Sequence, residues 1–102
     1  MAYDEALRAL EAGKAGSGLH CAEVRDLLTG LGFVVKDGKR GGHKTVTHPS
    51  LPSSDFISTG YNCQGGNGIV DRNYLGQLVR VVRSNKDTLK RLLGEDDQTA
   101  KQ

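Results

Sequence analysis

Apolar residues recur at helical spacing toward both ends of the chain and alternate, strand-like, in its middle. Tyr3, Ala6, Leu7 and Leu10 share one stripe and predict a first helix over residues 3–12, with Gly13 placed to end it. Residues 14–18 read as a flexible link. Val24, Leu27, Leu28 and Leu31 make a stronger stripe over residues 20–31. Glu23 falls in its first turn, where the helix dipole favours an acid, and Gly30 or Gly32 can stop it. Phe33, Val34 and Val35 then switch to strand preference, and Asp37-Gly38 opens a turn that reaches Gly42. Residues 43–48 alternate as a second strand, with His43, Thr45 and Thr47 on one face and Lys44, Val46 and His48 on the other. Residues 55–63 read as a third strand with Ile57, Thr59, Tyr61 and Cys63 on one face. QGGNG at 64–68 is a loop, and the segment behind it lacks the alternation of a strand. Asp71 is placed to cap a helix whose third position is Tyr74 and whose stripe is Leu75, Leu78, Val79 and Val82. A further helical piece over 84–93 carries Leu89, Leu92 and Leu93. It either continues that helix or follows a break near Ser84-Asn85.

The order is helix, strand, strand, strand, helix, with a short helical piece added at each end. A three-stranded antiparallel sheet has to bury one face, and the helices supply matching apolar stripes. The expected class is therefore α+β, with the helices on one face of the sheet and the other face open. At 102 residues the chain makes one small domain, expected over residues 1–94, with a polar, acidic tail at 95–102. There is no Trp, so leucine and valine must build most of the core.

Net charge is only +2, but it is unevenly placed: residues 1–32 sum to −2, residues 33–94 to +6 and residues 95–102 to −2. A basic centre on a nearly neutral chain suits a polyanionic partner; ordinary solubilising charge is the plainer reading. No apolar run approaches the roughly 20 residues of a membrane span, and the opening MAYDEALRAL is acidic rather than basic. The expected setting is a reducing cytoplasm. Cys21 and Cys63 do not make a disulfide framework: Cys21, with His20, is read as local capping and packing, and Cys63 as an ordinary small residue near a strand end.

The chemistry concentrates in KDGKRGGHKTVTHPSL, residues 36–51. KRGGHKT lacks the spacing of a phosphate-binding GxxxxGK[ST] loop. His20, Cys21, His43, His48 and Cys63 contain no pair at close ligand spacing, and His43 and His48 point to opposite faces, so no metal or other cofactor is expected. His43 follows two glycines and is flanked by Lys39, Arg40 and Lys44, which can hold phosphates. A histidine can transfer a proton near neutrality, and in RNA cleavage it can activate the ribose 2′-hydroxyl or protonate the leaving 5′-oxygen. A plain hairpin histidine is the competing reading. His48 shares the Val46 face and reads as packed. Arg72, Arg80 and Arg83 form a second basic supply, with Arg80 and Arg83 three apart on one helix face; they position phosphates, meet an acidic partner, or simply face solvent. Tyr61 can stack on a base or belong to the core.

The stretch VRDLLTGLGFVVKDGKRGGHKTVTHPSL resembles the HicA-like toxin family of bacterial toxin–antitoxin systems. Leu31-Gly32-Phe33 matches the family's helix end. Gly41-Gly42-His43 matches its Gly-Ser-His turn with Gly in place of Ser, and His48-Pro49 matches its closing pair. IVDRNYLGQLVRVV is similar to the final helix, with Tyr74 at the recurrent tyrosine. The resemblance implies a double-stranded-RNA-binding-like α-β-β-β-α fold and metal-independent mRNA cleavage. It makes His43 the essential residue and implies a cognate HicB-like antitoxin protein that masks it. A non-catalytic RNA-binding module, or an inactive toxin-like interaction protein, would share the same fold.

Overall fold

In the computed structural model, which describes residues 3–38, 42–51, 60–63 and 68–94, the first apolar stripe forms α1 (Tyr3–Ala15). Tyr3, Ala6 and Leu10 are buried along it. The helix runs through Gly13 instead of ending there. Gly13 faces the protein, and a Cβ on it would lie 2.4 Å from Leu19 Cγ, so the glycine serves close packing of the returning chain. That chain forms β1 (Leu19–His20), which pairs antiparallel with β5 (Ile69–Val70). Two-residue strands are too short for alternation to register, which is why this ribbon was not expected.

α2 (Cys21–Gly30) buries Cys21, Val24, Leu27 and Leu28. His20 precedes it in extended conformation, but its side chain makes no capping bond, contrary to the capping expectation. The three-stranded sheet follows: β2 (Val34–Asp37), β3 (His43–Thr47) and β4 (Gly60–Asn62), antiparallel in that order. The register sets Val35 opposite Val46 and Lys44 opposite Tyr61 on the inner face. α3 (Arg72–Ser84) is capped by Asp71, whose carboxylate accepts from the Asn73 N–H at 3.2 Å. Its buried stripe is Leu75, Leu78, Val79 and Val82, as expected. The chain breaks at Asn85, whose amide donates to the Val81 carbonyl at 2.9 Å, and α4 (Lys86–Leu92) turns Leu89 into the core.

The architecture is a small α+β domain. α1 packs along α3, α2 contacts β2 and α3 contacts β4, so the helices lie against the inner face of the sheet. That face contributes Val46, Tyr61 and Cys63 to the core. Tyr3 crosses the helix layer and donates its hydroxyl to the Val82 carbonyl at 2.8 Å. Among the described residues, no helix is long and apolar enough to cross a membrane. The expected third strand is seen from Gly60 to Asn62; Ile57, Thr59 and the acidic tail lie outside the described residues.

The cysteine reading is corrected. Cys21 and Cys63 are joined as a disulfide, with Cα atoms 5.6 Å apart across a separation of 42 residues. Nothing in their spacing announces this; it arises because the first turn of α2 is carried over the end of β4. The bridge constrains a loop of that length in the unfolded chain, which on the chain-entropy account is worth about 4 kcal/mol. The paired Cys21→Ser, Cys63→Ser variant should therefore unfold with a stability lowered by several kcal/mol relative to the oxidised protein, read by denaturant titration with and without reductant.

The two buried tyrosines give a second test. Burial, with Asp4 adding, raises the Tyr3 hydroxyl above its usual value near 10; burial chiefly raises Tyr61, which Arg25 opposes. The unfolded chain therefore releases these protons first. Their contribution to stability is intact below pH ~10 and is lost as pH rises from there through the folded values. Tyr3→Phe removes the bond to Val82 and should cost about 1 kcal/mol at neutral pH. Tyr61→Phe should cost nothing or stabilise, because the buried Tyr61 hydroxyl has no hydrogen-bond partner among the described residues. Thermal melts of both variants at pH 7 check the contrast.

Candidate functional site

Strand alternation places His43, Thr45 and Thr47 on the outer face of the sheet, all exposed, while Val46 and His48 are buried. The two histidines are separated as expected. His48 rests edge-on against the Phe33 ring, with centroids 5.0 Å apart, and its Nδ1 accepts from the Ser50 N–H at 3.1 Å. It is a packed histidine under the helix layer.

His43 stands on ground cleared by two glycines. On the β2 side its neighbour is Gly38, whose N–H donates to the His43 carbonyl at 2.8 Å. A Cβ at Gly38 would lie 2.5 Å from His43 Cδ2, and one at Gly60 on β4 would lie 3.6 Å from His43 Cε1. The imidazole thus lies over the sheet between two positions without side chains and stays open to solvent. Directly across β3–β4 its partner is Asn62. The turn before it depends on Gly42, at φ +85°, where a Cβ would lie 2.6 Å from the Cys63 carbonyl oxygen. The Cys63 N–H in turn donates to the Gly42 carbonyl at 2.5 Å. The turn, the end of β4 and the disulfide are therefore one connected unit.

The expected cations distribute differently from their sequence neighbourhood. Lys44 points inward, its side chain only 18% exposed, and pairs with Asp37 on β2. The hydrogen bond from Lys44, with its charge, holds the exposed Asp37 carboxyl below the usual carboxylate range. Lys44 is thus turned away from the His43 face, because adjacent strand residues must diverge. Arg83 pairs with Glu11 of α1, tying two helices together on the far side of the sheet from His43. Arg72 and Arg80 are exposed on α3, with no ion pair among the described residues. Lys39 and Arg40 lie outside the described residues. Tyr61 is fully buried, which removes it as a stacking platform.

Two residues join the site that sequence reasoning did not single out. Lys36 is exposed on the outer face, opposite Thr45 and two register positions from His43. The alternation of β2 against β3 could have found it. Asn62 could not be found without the register of β4. It also lines a cleft of about 440 Å³ with Ser17, Ile69, Asp71 and Tyr74, and so links that cleft to the cross-strand partner of His43. Among the described residues no group of three or more His, Cys, Asp or Glu side chains is placed to hold a metal ion.

Comparison of the chain with protein-family models, with curated proteins and with solved structures finds no match.

The glycine clearing is directly testable. Gly38→Ala should leave the far-UV circular dichroism of the domain intact and change its stability by no more than ~1 kcal/mol. It should displace the His43 imidazole, read as a change in the ring-proton resonances of His43 with those of His48 unmoved.

Proposed function

We propose that this chain is a metal-independent endoribonuclease of the HicA-like toxin type, cutting mRNA through His43. The observation that carries the reading is the exposed imidazole on the open sheet face, lying over Gly38 and beside Gly60, neither of which has a side chain to cover it. The succession α2, β2, β3, β4, α3 supports a double-stranded-RNA-binding-like core with α1 and α4 added.

In the proposed reaction an RNA strand crosses the outer face, held at its phosphates by Lys36 and by the cations of the turn, Lys39 and Arg40. The ribose 2′-hydroxyl gives up its proton and its oxygen attacks the adjacent phosphorus. The bond from phosphorus to the 5′-oxygen breaks, and that oxygen takes a proton. The products are a cyclic 2′,3′-phosphate and a 5′-hydroxyl. His43 moves one of these protons, a service worth roughly 10²–10⁴-fold in rate. Residue 42 has no hydroxyl where the family has serine. Asn62 Oδ1 comes within 3.3 Å of where a side chain on residue 42 would begin, so its amide supplies a polar group at that spot. A HicB-like antitoxin would cover this same face.

Action on mRNA implies the cytoplasm, where thiol pools reduce accessible disulfides. Both bridged cysteines are buried, and exchange requires access of a thiolate to sulfur, so the bridge is shielded once formed.

A second reading, a non-catalytic RNA-binding or inactive toxin-like interaction protein, is favoured by one observation: Lys44 and Arg83 are committed to ion pairs away from His43. Purified protein incubated with RNA in EDTA separates the two. The first reading expects cleavage, a fall of about 10²-fold or more on His43→Ala with an unchanged melting curve, and growth arrest on expression of the wild type alone. Binding of RNA by the wild type without any cutting would hand the case to the second.

A further inference from the structure

The cleft that Asn62 lines is built for something other than a phosphate. It is lined by Ser17 from the link after α1, Asn62 from β4, Ile69 from β5, and Asp71 and Tyr74 from the start of α3. Its volume of about 440 Å³ lies within the range of small-ligand sites. Asp71 is exposed, and its carboxylate repels anions from a place where a helix N-terminus would otherwise attract them. Ile69 is a large apolar side chain left 46% exposed, and Tyr74 is half-buried and also lines the cleft. An aliphatic wall and an aromatic ring suit a flat, uncharged, partly apolar group. Asn62, which belongs both to the cleft and to the His43 cross-strand pair, ties that group to the cleavage position.

We propose that this cleft is a nucleobase subsite that selects guanine; the inference rests on the reading of the chain as an RNA-cutting protein and names the base it holds next to the cut. One Asp71 oxygen accepts from the Asn73 N–H, and the carboxylate retains further lone pairs. Guanine presents two adjacent donors on its Watson–Crick edge, N1–H and the 2-amino group, which one carboxylate accepts together. Its O6 and N7 accept from an amide such as that of Asn62. Adenine presents a ring-nitrogen lone pair where the carboxylate needs a donor, so it is repelled at that contact. Uracil has a single ring N–H between two carbonyls. Tyr74 and Ile69 provide the stacking surface. Because Asn62 faces His43 across the strands, a base seated here brings its own ribose and 3′-phosphate toward the imidazole.

The test titrates GMP, AMP, CMP and UMP separately into the isotope-labelled full chain and follows backbone amide resonances. GMP should shift Asn62, Ile69, Asp71 and Tyr74 and bind about tenfold or more tightly than AMP, the discrimination of one good paired contact. Asp71→Asn keeps a good helix cap while removing the paired acceptor, so it should fold normally and lose the preference for GMP over AMP. Equal responses to all four nucleotides, shifts confined to other surfaces, or an Asp71→Asn variant that still prefers GMP would each overturn the subsite. A parallel cleavage assay on RNAs with and without guanine keeps the two readings apart. Cutting without base preference and without a GMP response sinks the subsite and leaves the nuclease. A GMP response sensitive to Asp71→Asn, with no cutting of any RNA, sinks the nuclease and leaves the subsite.

Discussion

The bond between Cys21 and Cys63 fixes the end of β4 against the first turn of α2, and the arrangement around His43 follows from it. Cys63 exchanges close backbone contacts with Gly42, the residue that turns the chain into β3. Asn62, one residue earlier, is thereby held opposite His43 and at the lip of the cleft. A three-residue edge strand has few ladder bonds of its own, and two-strand ribbons of the size of β1 and β5 are marginal in isolation. The covalent tie and the buried Tyr61 give β4 the anchorage that its length does not.

The sheet separates two kinds of chemistry by the period of two alone. The inner face carries Val46, Tyr61 and His48 into the core, along with the aliphatic stem of Lys44, whose charge is met at the sheet's end by Asp37. The outer face keeps His43, Thr45, Thr47 and Lys36 in water. Residues that look equivalent in the basic stretch therefore have unlike surroundings. Lys44 is bound to the scaffold, whereas Lys36, further away in sequence, shares the histidine's face.

This division was legible in the order of residues. Alternation assigned His43 and His48 to opposite faces, and helical spacing found the buried stripes of α2 and α3 with the cap at Asp71. The failures share a cause. Gly13 lies inside a helix because of what packs against it, β1 and β5 pair across half the chain with two residues each, and the cysteines meet only after the domain closes. Each depends on a contact distant in sequence, to which local propensity is blind. Asn62 belongs to the same category: its importance comes from register, and register is set by the partner strand. The charge count was right in sum, but it could not tell which cations the scaffold would already have claimed.

Gly38 and His43 occupy overlapping space: a side chain at 38 begins where the ring of 43 lies. The two positions are therefore not independent in the sequences this fold can accept. An imidazole lying across the sheet leaves no room for a Cβ at 38, and a side chain placed there moves the ring elsewhere. The glycine at 38 thus acts at a distance of one strand as part of the histidine's own conformational preference, choosing a rotamer without touching a proton or a charge.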